Sequence, residues 1–368
     1  MIADGTPRGL VQRVVALAAA GVEGQAVSSA CRELGADATP TAVADLLASR
    51  HRVRAQSPAV AARLAALGAQ TMVAGQPGFP TRLATAWPDL GAPLWVFVRA
   101  PGGRLPEVPT VAVVGTRRAT LDGLATARLI AATVARAGAA VVSGLARGID
   151  QAAHEACLEA GGRTIAVLGT GFGVDYPAGA GDLRRAIADS GGLVSELPPG
   201  TPPRPHRFLQ RNRIIAGLAD AVVVVEGGRQ SGALTTARSA LEQGREVLAC
   251  PGSLHSPQAA ASLQLIRDGA RVVTEPDDVL DALGVLGLTS EPSAEARSDV
   301  ALAPTDPVVA ALLDLLGPTP ATVDALARAT GQPARVVLGG VSELVAAGLA
   351  HRGVAGVVRV VPGEGGIG

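Results

Sequence analysis

Between Thr110 and Gly252 the chain repeats one pattern: a short β-branched run, a glycine, then a stretch with helical spacing. TVAVVG leads into ATLDGLATARLIAATVARAG and AAVVSG into GIDQAAHEACLEAG, while RTIAVLG, GLVSE, DAVVVVEGG and REVLACPG continue the series. Short apolar runs bounded by glycine read as buried strands, and a helix between successive strands makes them parallel. The pattern predicts an α/β fold: an extended Rossmann-like parallel sheet over residues 75–285. In such sheets ligands bind beyond the carboxyl ends of the strands, and each polar glycine-rich motif here falls at such an end.

The flanks read differently. Residues 1–74 alternate helix-forming runs (GLVQRVVALAAA, TAVADLLASR, PAVAARLAALG) with small-residue breaks, which predicts a small helical domain. A proline-rich lead-in carries one strand, LWVFVRA, and the aromatic residues Phe79, Trp87, Trp95 and Phe97, which need a surface to bury against. Residues 286–304 are polar and small and read as a linker. Residues 305–368 give three helical patterns and a strand-like pair, the order of a winged helix.

Composition excludes several chemistries. All 32 basic residues are arginine, so a lysine-containing phosphate loop, a Schiff-base lysine and a lysine general base are impossible. No run approaches the 18 apolar residues of a membrane span, and the N-terminus lacks the basic start and apolar core of a secretion signal. The expectation is a cytoplasmic protein with no membrane partner. Cys31, Cys157 and Cys250 are far apart with no C-x-x-C pair, so they read as reduced, buried thiols. No metal spacing and no dinucleotide G-x-G-x-x-G occurs, and no cofactor is implied.

Four motifs can hold an anion. In VAVVGTRRAT, Gly115 ends a strand and Arg117 follows before a helix, a place for a bidentate phosphate contact. VVSGLARGIDQAAH places Ser143, Gly144, Arg147 and Gly148 on one turn, which reads as a second cradle with Arg147 pairing the anion. Asp150 there reads as a helix cap and His154 as its surface neighbour. RPHRFLQRNR holds four arginines and a histidine with no acid; like-signed arginines repel unless an anion or carboxylate is near. On a helix Arg207 and Arg211 share a face and Arg213 points elsewhere, while Asn212 adds a neutral donor and Phe208 a ring on which a base could stack. EGGRQSGALTTA supplies Gly227, Ser231 and Gly232 as a backbone nest before a helix, with Glu226 expected to pair with a neighbouring arginine.

VAVVGTRRAT, VVSGLARGIDQAAH, TIAVLGTG, SELPPG, RNRIIAGLADAVVVVEG, SGALTTARSALEQGREVLACPGS and LIRDGA, in this order, resemble the DNA-processing protein A family (DprA, also called Smf) over residues 75–285. The resemblance implies an extended Rossmann domain that binds single-stranded DNA, dimerises through that domain and loads the recombinase RecA onto incoming DNA in natural transformation. It places DNA contacts at Arg117, the Ser143 to Gly148 turn and the block Arg211, Asn212 and Arg213. The chain departs from the family at Phe208-Leu209, where Phe-Pro is usual, and at Ala261, Ser262 and Leu263, a change expected to remove a polar corner of the pocket. It also lacks the L-P-G-I-G hairpin of related N-terminal domains.

Two functions follow from the residues. The first is a non-catalytic single-stranded DNA-binding protein. Residues 111–285 carry 17 arginines and 17 acids, so attraction must come from a local patch. The alternative is a Rossmann enzyme hydrolysing the N-glycosidic bond of nucleoside monophosphates with Glu226 as its carboxylate. Residues 304–368 hold four arginines and five acids, which points to protein association and not duplex reading.

Overall fold

The computed structural model describes residues 7–53, 57–88, 91–285, 307–316, 321–346, 350–353 and 356–359. The chain divides into two compact units, Met1–Ser290 and Glu291–Gly368. The expected linker lies outside the described residues.

The first unit opens with helices α1 (Pro7–Ala19), α2 (Gly24–Leu34), α3 (Pro40–Arg50) and α4 (Pro58–Ala66). Thr39 starts α3 by accepting from the amide of Ala42, with Pro40 in the first turn. The lead-in adds β1 (Gln70–Val73), α5 (Thr81–Ala84) and β2 (Trp95–Arg99). Strand and helix then alternate: β3 (Thr110–Val114), α6 (Leu121–Arg136), β4 (Ala140–Ser143), α7 (Ile149–Glu159), β5 (Arg163–Val167), α8 (Gly181–Ser190) and β6 (Gly192–Ser195). The series continues with α9 (Pro205–Leu218), β7 (Ala221–Val224), α10 (Gly232–Glu242), β8 (Glu246–Ala249), α11 (Ala260–Arg267), β9 (Arg271–Val272) and α12 (Asp277–Ala282).

Among the described residues these strands form one sheet in the order β1-β2-β6-β5-β4-β3-β7-β8-β9. From β6 to β9 every neighbour is parallel, and β2 runs antiparallel to both β1 and β6. The chain builds outward from β3 to β6, then returns to place β7 on the other side of β3. That reversal is the topological switch point at which such sheets open a crevice.

Side chains alternate across the sheet with period two. Ala112 and Val114 of β3 join Val222 and Val224 of β7 in a core covered by Ile214, Ile215 and Leu218 of α9 and by Ala233, Ala237 and Ala240 of α10. On the other face Val111, Val113, Val141 and Val223 pack under α6, α7 and α12. Further along that face, Trp95 and Phe97 of β2 pack with Leu17, Val43, Leu47 and Ile187, so the N-terminal helices share a continuous core with the sheet. The aromatic lead-in buries as its composition requires: Trp95 donates its indole N–H to the carbonyl of Glu196 at 3.0 Å, and Trp87 to that of Ala38 at 3.1 Å. Strand β1 gave no sequence signal because its four residues alternate only once; pairing Gln70 with Val98 joins it to the sheet.

His154 corrects the surface reading. It is fully buried, and its Nδ1 lies 2.6 Å from the hydroxyl of Thr164. That hydroxyl donates to the carbonyl of Val141 at 3.0 Å, so it accepts from His154, which fixes the Nδ1–H tautomer. Burial first, and then the charge of Arg211, holds the imidazole down from 6.5 to about 3. The three cysteines are buried.

The second unit contains α13 (Pro307–Leu315), α14 (Val323–Thr330), α15 (Ala334–Ala346) and the hairpin β10 (Ala350–Gly353) with β11 (Gly356–Arg359). Thr322 caps α14 through the amide of Ala325, and Gly331 ends it in the left-handed conformation. Val309, Leu312, Leu326, Val337, Val341 and Leu344 make its core. Three helices followed by an antiparallel hairpin are the winged-helix order. Among the described residues no helix is long and apolar enough to cross a membrane.

Phe97 is fully buried in the core shared by the N-terminal helices and the sheet, so Phe97→Ala is expected to cost about 3–5 kcal/mol in urea unfolding. Because the folded imidazole of His154 titrates below the unfolded one, its stabilisation is complete above pH 6.5 and is lost as pH falls toward about 3. In His154→Gln the decline of unfolding free energy over that window should be shallower than in the wild type.

Candidate nucleic-acid interface

The turns after β3, β4 and β7 converge at the switch point with one side of α9. Gly115, after β3, has no room for a side chain: a Cβ would lie 2.6 Å from Cγ1 of Ile149 and 2.8 Å from the carbonyl oxygen of Glu226. Gly148 adopts φ +84°, and a Cβ there would lie 2.4 Å from the carbonyl oxygen of Thr116. These two glycines let the GTRR and SGLARG turns touch. Above them lie two adjoining cavities, of about 850 and 510 Å³. Arg117, Arg118 and Arg204 line the first, and Arg117, Arg118 and Arg147 line the second.

Arg117, Arg118, Arg147 and Arg204 are exposed, and among the described residues none of them carries an ion pair or donates a side-chain hydrogen bond. Phe208 stands between the cavities and lines both. The guanidinium of Arg117 lies 5.3 Å from its ring centroid, and the ring of Tyr176 is 5.0 Å away at 35°. Gly169 makes room for that ring, since a Cβ there would lie 2.5 Å from Cδ1 of Phe208.

Other expected ligands turn inward. Ser143 is fully buried and donates its hydroxyl to the carbonyl of Val113 at 2.6 Å, which takes it out of the cradle. The anion of the SGLARG turn is supplied by the chain itself. Asp150 Oδ2 accepts from the amides of Gly144 at 3.1 Å and Ala146 at 3.3 Å, and Asp150 is not the helix cap, a position held by Gly148. Burial raises the Asp150 carboxyl, opposed by the charge of Arg211.

The block Arg211, Asn212 and Arg213 divides. Arg211 is buried and donates through Nη1 to the carbonyls of Gly144, at 2.8 Å, and Val167; burial holds it down to about 10, still a cation at neutral pH. Asn212 lines the larger cavity but donates Nδ2 to the carbonyl of Gly232 at 3.0 Å, tying α9 to the start of α10. Arg213 pairs with both carboxylate oxygens of Glu196, at 2.7 and 2.8 Å, and lines neither cavity. Arg207 and Arg211 leave their shared helical stripe for different partners, Arg207 pairing with Glu23.

After β7, the amide of Gly227 donates to the carbonyl of Gln258 at 2.6 Å and is not free for an anion. Ser231 caps α10 through the amide of Ala233, while Ser231, Gly232 and Gly228 line the larger cavity. Among the described residues Glu226 has no arginine partner: Oε1 accepts from the hydroxyl of Thr120 at 2.6 Å and Oε2 from its amide at 3.0 Å, fixing the start of α6. The expected loss of a polar corner at residues 261–263 does not touch the cavities. Ala261 packs beneath Gly227, and the hydroxyl of Ser262 donates to the carbonyl of Ala259. Arg118 and Tyr176 were absent from the expected site. Arg118 had its adjacency to Arg117 as a signal, whereas Tyr176 sits in a loop that carries no periodicity.

The description DNA recombination-mediator protein A matches residues 70–284, and a DprA winged-helix description matches residues 296–353. A protein of Mycobacterium tuberculosis described as a DNA processing protein DprA is 44% identical over 272 residues, covering 73% of this chain and 69% of that one. Protein Smf of Escherichia coli is 42% identical over 258 residues, 68% of this chain and 67% of its own. The crystal structure of DNA processing protein A from Streptococcus pneumoniae superposes with a TM-score of 0.60 at 31% identity, over 72% of this chain and 95% of that one. A Helicobacter pylori DNA processing protein A, whose structure concerns its single-stranded DNA binding mode, superposes at 0.52 with 24% identity, over 58% of this chain and 95% of its own, and so speaks to the fold alone. With one description spanning the whole sheet, a second the three-helix unit, and two relatives above 40% identity across two thirds of both lengths, the chain belongs to the DNA recombination-mediator protein A family.

Proposed function

We propose that the paired cavities bind single-stranded DNA through its phosphates and that the protein acts without catalysis, protecting incoming strands and loading RecA recombinase onto them in natural transformation. A homodimer formed through the Rossmann-like domain belongs to the same reading, as does a cytoplasmic location. The observation that carries it is the set of four exposed, unpaired arginines, Arg117, Arg118, Arg147 and Arg204, gathered from three segments around one aromatic ring. Exposed guanidiniums that converge with no ion pair among the described residues match a polyanion, with Asp175 the one exposed carboxylate in the lining. A ring beside them offers a base a sequence-tolerant surface.

Gly115, Gly144, Gly148, Gly227 and Gly232 serve this reading by close backbone approach, and Ser143, Arg211, Asn212, Arg213 and Ser231 by holding the walls. Glu226, the one carboxylate the hydrolase alternative offers, has both oxygens engaged by Thr120. The winged-helix unit is assigned to protein association, since its sequence is not basic.

Four phosphate contacts at about −0.7 each give a log–log salt slope of about −3 for oligo-dT binding. The double variant Arg117→Ala/Arg204→Ala should lower that slope to about −1.5 and weaken all sequences alike, by fluorescence anisotropy. A wild-type affinity indifferent to salt refutes the assignment. Truncation before residue 304 should leave single-strand affinity within about twofold, because the removed segment adds no net positive charge; a large loss moves part of the DNA site into the winged helix.

A further inference from the structure

Glu23 and Gly24, at the start of α2, both meet arginines of α9. Glu23 Oε1 accepts from Arg207 Nε at 3.0 Å and from Nη2 at 2.8 Å, while Nη1 of Arg207 donates to the carbonyl of Pro202 at 2.7 Å. His206 Nε2 lies 3.5 Å from the other oxygen of Glu23. At the next residue, a Cβ on Gly24 would lie 2.1 Å from Nη2 of Arg213, which is held by Glu196. The side chain of Arg207 is only 12% exposed and lines neither cavity.

The start of α9 is electrostatically awkward without Glu23. Its cap is Arg204, no side chain caps it, and its first turn holds no acid, yet Arg204, His206 and Arg207 crowd against the positive end of the helix dipole. Among the described residues, Glu23 is the only carboxylate paired with this turn. Arg204 and Phe208, one turn apart on the neighbouring face, line the larger cavity.

We propose that Glu23 is a positioning residue for single-stranded DNA: by holding Arg207 it fixes the first turn of α9, and with it Arg204 and Phe208. Arg207 is then a tether and not a phosphate ligand. This inference rests on the assignment of the cavities to single-stranded DNA.

The test uses the full chain and oligo-dT anisotropy, with circular dichroism melts run in parallel. Glu23→Gln should bind about fivefold more weakly with the salt slope unchanged, since no phosphate contact is lost. The exchange Glu23→Arg with Arg207→Glu should restore affinity to within about twofold of wild type, although it puts an acid on α9. Should Glu23→Gln melt too early to assay, the exchanged pair still decides: recovery supports the tether, and binding as weak as Arg207→Glu alone overturns it. Unchanged or tighter binding by Glu23→Gln also overturns it, as Arg207 would then be released to phosphate. If Arg117→Ala weakens binding while Glu23→Gln does not, only this inference falls; a wild type that binds no oligo-dT removes the cavity assignment and this inference together.

Discussion

Arg211 reaches from α9 to the carbonyls of Gly144 and Val167, at the carboxyl ends of β4 and β5, where little solvent reaches its charge. A buried cation is tolerated only with hydrogen bonds and countercharge. The carbonyls provide the first, and Asp150, itself held by two amides of the SGLARG turn, provides the second. The floor of both cavities depends on this arrangement. Removing Arg211 leaves Asp150 an uncompensated buried carboxylate, so lost DNA binding in such a variant reports a collapsed floor as readily as a missing contact. The exposed arginines are the ones whose removal tests binding directly.

Much of the fold was legible because strand, glycine and helix repeat six times, and periodicity separates the two faces of the sheet without ambiguity. The candidate site was legible to the level of segments after β3, β4 and β7, each marked by a glycine and a polar residue; the loop after β5 that brings Tyr176 to the second cavity stands outside the four anion motifs. What failed was the assignment of partners. A cradle of amides attracts any carboxylate, and spacing does not say that Asp150, six residues on, has already filled it. Ser143 carried a readable signal, since it shares strand parity with Val141 and so faces the core. Glu226 did not: its partner Thr120 lies 106 residues away and is brought in only by the pairing of β3 with β7.

The arginine-rich segment shows the same limit. Its four arginines lie within ten residues, yet each ends in a different environment: Arg204 at the cavity rim, Arg207 on Glu23, Arg211 in the buried floor, Arg213 on Glu196. A formally neutral chain thus makes a positive site by subtraction. Acids are spent on the cations that hold α9 in place, and the remaining cations are left lining the two adjoining cavities.

The placement of β7 beside β3 has a thermodynamic consequence. Arg117, Arg147 and Arg204 belong to segments that meet only once the outward run of strands is complete and the chain has come back across the first of them. No fragment of the sheet contains the whole ring of charge. Any polyanion held by that ring is therefore coupled to cooperative folding of the entire sheet, and its binding free energy appears as a rise in melting temperature that grows with ligand concentration.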